Sequence, residues 1–143
     1  MLVSWEKGLA LQFKKAYPAM FDDYNEFCKA KKLNFGNLHI HKISYIGTLI
    51  DSLNKAFDDV KFVPQPIFII NFPTKNHWKE KSKLENIELG LQTLVMTIKE
   101  LKIKSIALPM LGCGLGGLES KEVKSLFKNY LVIDKVIVLV YYN

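Results

Sequence analysis

Arginine is absent from this chain of 143 residues: all 20 basic side chains are lysine, set against 14 acids for a net charge of +6. Lysine attracts phosphate as a point charge but lacks the planar fork that reads guanine or clamps a carboxylate through two bonds. The absence argues against sequence-specific reading of DNA and leaves contact with a nucleic-acid backbone open. An AT-rich genome would produce the same lysine excess through codon use. Cysteine is scarce too. Cys28 and Cys113 lie far apart and neither belongs to a CxxC pair, so neither a disulfide nor a zinc site is expected. No apolar run approaches the roughly 20 residues a bilayer span needs, and the longest, Ile133 to Tyr142, is broken by Asp134 and Lys135. The first residues carry no basic segment followed by an apolar one, so no membrane partner and a cytoplasmic location are expected. Low-complexity tracts are missing as well. With 49% hydrophobic and 12% aromatic residues, one folded domain spanning 1–143 is expected.

Apolar residues at Leu9, Leu11, Phe13 and Ala16 predict a helix from Lys7 to Ala16, which Pro18 ends or resets. A second helix is expected from Ala19 to Lys32, with Asp22 and Asp23 near its start and lysines near its end. After a turn at Asn34 to Asn37, Leu38 to Ile43 alternates like a half-buried strand. The stretch from Tyr45 to Pro66 is the least legible, with a short helix expected around Thr48 to Phe57. Ile67 to Phe72 is a continuous apolar run, expected as a central strand buried on both faces. Leu84, Ile87, Leu91, Leu94, Ile98 and Leu101 mark an amphipathic helix within Ser82 to Leu101. A strand from Ile103 to Leu108 stopped by Pro109, a glycine-rich loop from Leu111 to Leu118, a helix from Glu119 to Leu131 and a strand from Lys135 to Tyr142 complete the chain. Strands alternating with helices imply an α/β domain with helices on both faces of a largely parallel sheet.

Ligands of open α/β sheets bind where strands run into helix N-termini. Two such loops stand out. Asn71 to Trp78 places Lys75, His77 and Trp78 after the most apolar strand. Gly112-Cys113-Gly114-Leu115-Gly116-Gly117 has four glycines in six positions, which lets main-chain N–H groups close around an anion. Together they suggest a diphosphate, although an ordinary strand-to-helix turn would also use glycine. The loop is neither GxGxxG nor GxxxxGK[ST], so the dinucleotide fingerprint and the P-loop are excluded. Cys113, flanked by glycines with no base in view, reads as a small apolar filler. His39 and His41 share a strand face but lack a third ligand, so no metal is expected there.

These segments in combination resemble a macrodomain: Lys7-Gly8-Leu9-Ala10-Leu11-Gln12-Phe13-Lys14, then Ile69-Ile70-Asn71-Phe72-Pro73-Thr74-Lys75-Asn76-His77-Trp78, then Ala107 through Leu118. The branch is the one that holds a bacterial antitoxin removing ADP-ribose from DNA and an animal terminal ADP-ribose protein glycohydrolase. The resemblance implies a three-layer α/β/α fold with a mostly parallel mixed sheet, and an insertion within 45–66. It also implies an ADP-ribosyl glycohydrolase acting on ADP-ribosylated DNA without a cofactor, with a toxin ADP-ribosyltransferase as partner. Lys75 falls on the catalytic position. Lys7, Gly8, Leu9, Asn71, Pro73, Thr74, His77, Gly112, Cys113, Gly114, Leu115, Gly116, Gly117 and Leu118 fall on ligand-binding ones. Where the animal enzyme has an acid in its glycine loop this chain has Gly116, and Glu119 is the nearest acid.

Two departures shape the expectations. Family members carry further strands ahead of the Lys7-Gly8 loop, and the loop itself reads Val3-Ser4-Trp5-Glu6 in place of glycine-rich residues. Weak ADP-ribose binding and a homodimer through an exposed sheet edge follow as expectations. A non-catalytic ADP-ribose binder and an ADP-ribose 1″-phosphate phosphatase are the alternative readings.

Overall fold

The computed structural model describes residues 8–43, 67–77 and 79–142. The expected helix around Thr48 to Phe57 and the insertion within 45–66 lie outside the described residues, as do Lys7 and Trp78. Helix α1 runs Gly8–Ala16 and α2 runs Pro18–Lys29. Pro18 occupies the first turn of α2, where its missing N–H leaves nothing unsatisfied, so it resets the chain between the two helices. The second helix stops three residues before the expected Lys32. The Asn34 side chain accepts from Gly36 N at 2.9 Å and Asn37 Nδ2 donates to the Lys32 oxygen at 2.8 Å, so side chains take over the hydrogen bonding there.

Strand β1 is His39–Lys42 and β2 is Phe68–Asn71; they pair antiparallel with His39 opposite Asn71 and Lys42 opposite Phe68. Ile69 of β2 is buried in one core while Ile70 is half-buried and packs against the other, so the apolar run has apolar cover on both faces, as expected. Among the described residues β2 pairs with β1 alone. Met20, Tyr24, Leu33 and Ile69 form the core on this side, with Phe13, Tyr17 and Phe27 packed around them.

Helix α3, Leu84–Glu100, buries Ile87, Gly90, Leu91, Leu94, Thr97 and Ile98 along one stripe, as its periodicity predicts. It packs with α4, Ser120–Tyr130, whose Val123, Leu126 and Phe127 close the second core. Each fully buried aliphatic side chain in that cluster contributes about 1.5–3 kcal/mol of transfer free energy. Strand β3, Ser105–Pro109, pairs in parallel with β4, Ile137–Tyr141. Pro109 is the last paired residue, a place where only the missing donor is lost. Ile106, Leu108, Val138 and Val140 turn toward the core, while Ile137, Leu139 and Tyr141 are exposed. No helix of the described residues is long and apolar enough to cross a membrane.

Candidate functional site

The loop after β2 is held by its own apolar residues. Phe72 lies against Gly90 of α3, where a Cβ would come within 2.8 Å of the Phe72 Cε1 atom and closer still to its Cζ. Glycine inside a helix costs about 1 kcal/mol relative to alanine, so its place here is explained by the ring it admits. Pro73 is buried behind Phe72, and Thr74 and Lys75 are half-buried. The backbone from His77 to Glu80 then closes a turn, with Glu80 N donating to the His77 oxygen at 3.0 Å and Lys79 N to His77 Nδ1 at 3.3 Å.

The loop after β3 folds back on itself. Leu118 N donates to the Gly112 oxygen at 3.0 Å and Gly117 N to the Gly114 oxygen at 3.1 Å. Gly112 and Gly117 both have φ of +74°, the left-handed region that disfavours a Cβ. Gly116 is buried for a different reason: a Cβ there would overlap the Gly112 oxygen and the Ser82 Oγ. Ser82 N donates to the Gly116 oxygen at 2.9 Å, which ties the loop to the residues leading into α3. The Ser82 hydroxyl is buried without a hydrogen-bond partner among the described residues. By contrast, Gly114 is open, with no atom within 4 Å of a Cβ placed on it. The main-chain N–H groups of Gly114, Leu115 and Gly116 donate to no described residue. Successive main-chain amides can receive an anion where they point to a common centre.

Lys75 joins the two loops. Its Nζ donates to the Leu115 oxygen at 2.5 Å, while the Leu115 side chain is 84% exposed. The expected residues thus fall into groups. Lys75 and Leu115 meet; Gly112, Gly116 and Leu118 cluster over Ser82; Cys113 is half-buried with its Sγ 3.8 Å from the Leu111 oxygen, as suits a filler. Gly8 opens α1 with φ of +65°, and Leu9 is exposed beside it. Glu119 precedes α4 and, among the described residues, makes no ion pair with Lys75.

Asn71 looks the other way, into a polar cluster that periodicity alone did not reveal. Asp23 Oδ2 accepts from His39 Nε2 at 3.1 Å and from His41 Nδ1 at 2.9 Å, and Asn71 Nδ2 lies 2.9 Å from His39 Nδ1 and 3.2 Å from Met20 Sδ. His39 is buried between the rings of Tyr24 and Phe27. The hydrogen bond from His41 holds the Asp23 carboxyl below its usual range, with His39 adding to the effect against the desolvation. Burial pushes the His39 imidazole below its ordinary value, against the pull of Asp23. Among the described residues no group of three or more His, Cys, Asp or Glu side chains is arranged to hold a metal ion.

The Macro domain family model matches residues 61–127. The chain is 38% identical over 136 residues to a DNA ADP-ribosyl glycohydrolase of Thermus aquaticus, covering 94% of this chain and 33% of that protein. A Mycobacterium tuberculosis protein of the same name is also 38% identical, over 135 residues. The chain therefore spans about a third of the length of these curated relatives. Among solved structures, the Thermosipho africanus DarTG in complex with ADP-ribose superposes with a TM-score of 0.79 at 34% identity, covering 98% of this chain and 35% of that one. The macrodomain of Mycobacterium tuberculosis DarG superposes with a TM-score of 0.78 at 35% identity, covering 97% of this chain and 80% of the other. A likeness of that depth, running across both loops and the strands that carry them, makes this chain a member of the macro domain family.

Proposed function

We propose that this chain is an ADP-ribosyl glycohydrolase that removes ADP-ribose from DNA, with Lys75 as its catalytic residue. The observation that carries the reading is the Lys75–Leu115 hydrogen bond, which ties an amine to the loop in which the Gly114, Leu115 and Gly116 amides find no acceptor among the described residues. An anion drawn to the amides of Gly114, Leu115 and Gly116 brings the adjoining ribose to Lys75. The nitrogen lone pair of Lys75 forms a bond to the anomeric carbon as the bond to the nucleobase breaks, and the proton that the new C–N nitrogen sheds goes to the departing base. Water then releases ADP-ribose and returns the amine. The names of the Thermus aquaticus and Mycobacterium tuberculosis relatives support DNA as the carrier. Incubation with an ADP-ribosylated oligonucleotide, an ADP-ribosylated protein and ADP-ribose 1″-phosphate in parallel tests this. Release from the oligonucleotide alone is the expected result, and turnover of only the phosphate ester would replace the reading with a phosphatase.

Lys7, Gly8, Leu9, Asn71, Pro73, Thr74, His77 and the residues Gly112 through Leu118 complete the proposed binding surface. A toxin ADP-ribosyltransferase is the proposed partner, supported by a Thermosipho africanus relative named as a fusion of DNA ADP-ribosyl transferase and DNA ADP-ribosyl glycohydrolase. Among the described residues β2 and β3 each pair on one edge only. The homodimer proposed here pairs through one of these edges. Sedimentation analysis at micromolar concentration checks the mass.

A further inference from the structure

The polar cluster under β2 determines which face of the Asn71 amide is available. An ionised carboxylate only accepts hydrogen bonds, so the His39 nitrogen facing Asp23 at 3.1 Å, Nε2, carries the proton. In a neutral imidazole the other nitrogen, Nδ1, is then bare and needs a donor. That donor is the amide nitrogen of Asn71, 2.9 Å away. The same nitrogen faces the Met20 sulfur at 3.2 Å, a weak acceptor that would repel a carbonyl oxygen. Both amide hydrogens are used inward, and Asn71 Oδ1 accepts from no described residue. The ordering passes from helix α2 through β1 to β2, because His39 and Asn71 are directly opposite in the strand register.

We propose that Asp23 and His39 are positioning residues that fix the Asn71 amide with its oxygen left free, making Asn71 a hydrogen-bond acceptor for a ribose hydroxyl of bound ADP-ribose. The proposal rests on the reading of the loops after β2 and β3 as an ADP-ribose site. His39 is 2% exposed, so its role is exerted through Asn71 and not by touching ligand. Asn71 is the last residue of β2, and the loop that follows it carries Lys75.

Two measurements test it. Nitrogen-15 NMR of the imidazoles reports the His39 tautomer without reference to any ligand: protonation at Nε2 is expected in the native chain, and a proton on Nδ1 would overturn the proposal. Calorimetry with ADP-ribose then compares the native chain with Asp23→Asn, Asp23→Glu and Asn71→Leu. Asp23→Asn and Asn71→Leu are expected to weaken binding about tenfold, the value of one lost hydrogen bond. Asp23→Glu, which keeps the carboxylate, is expected to recover most of the loss. Asn71→Leu is expected to leave the His39 tautomer unchanged, which separates the acceptor from the relay. Native affinity in Asp23→Asn beside weakened binding in Asn71→Leu would refute the relay, native affinity in both would refute the acceptor role of Asn71 as well while leaving the site reading intact, and a native chain that binds no ADP-ribose would refute the site reading.

Discussion

Lys75 Nζ donates to the main-chain oxygen of Leu115 at 2.5 Å, bridging two loops that lie forty residues apart in the chain. One loop follows an antiparallel strand and the other a parallel one, so the bond ties together the loops that leave the two small sheets. Removing it should separate chemistry from binding. Lys75→Ala is expected to lower release of ADP-ribose from a modified oligonucleotide by about 100-fold or more while affinity for free ADP-ribose changes little. Lys75→Arg should not restore turnover, because a guanidinium stays protonated. Single-turnover assays with both variants check the pair, and native rates in Lys75→Ala would reduce the lysine to a tether.

The glycines of the second loop should respond differently to the same substitution. Gly114→Val meets no atom and holds no positive φ, so the melting temperature should stay within about 1–2 °C while ADP-ribose binding weakens. Gly116→Val pushes a side chain into the Gly112 oxygen and the Ser82 hydroxyl, and should cost about 1–3 kcal/mol of stability. Thermal melts beside titrations distinguish them. Equal stability loss at both positions would mean that the loop is packed on its open side as well.

Gly90 offers a test at a distance. Gly90→Ala removes a helix-destabilising residue from the middle of α3, which by propensity alone should stabilise by about 1 kcal/mol. The new methyl displaces the Phe72 ring and with it the loop that carries Lys75, so a net loss of stability and of turnover is expected. A rise in melting temperature with full activity would show that Phe72 moves aside at no cost.

Acid should loosen the α2–β1 side first. His39 titrates below its unfolded value because it is buried, so between those two values the unfolded chain binds the extra proton. Its contribution is complete above the unfolded value of about 6.5 and is lost as pH falls below it. Asp23 acts in the same direction at lower pH, since its folded value is also depressed. The other groups facing the cluster are His41, Tyr24, whose phenol burial pushes up, and Cys28 beside it. Melts between pH 8 and 5 should therefore show falling stability, and His39→Gln should flatten the slope above pH 5. An unchanged slope would place the titration elsewhere.

Much of this was legible because it is local. The stripe from Leu84 to Ile98 specifies α3 by its spacing, and the apolar face of α4 does the same. The two loops were legible because glycine density and the lysine after an apolar strand are rare signals, and the family resemblance joined them. The antiparallel partner of β2 was not, since an apolar run does not say which strand lies beside it or in which direction. Asp23 reaches His39 and His41 across sixteen and eighteen residues, a separation that no periodicity encodes. Nothing in the sequence around Gly90 signals that the Phe72 ring fills the place of its side chain.

The anchor of Lys75 is a peptide oxygen, and every amino acid carries one. Position 115 can therefore change identity without unlatching the lysine, while its side chain stands in solvent. Under the function proposed above, chemistry and target preference are then separable at a single residue: selection can redesign what the loop tip meets and leave the amine where it is.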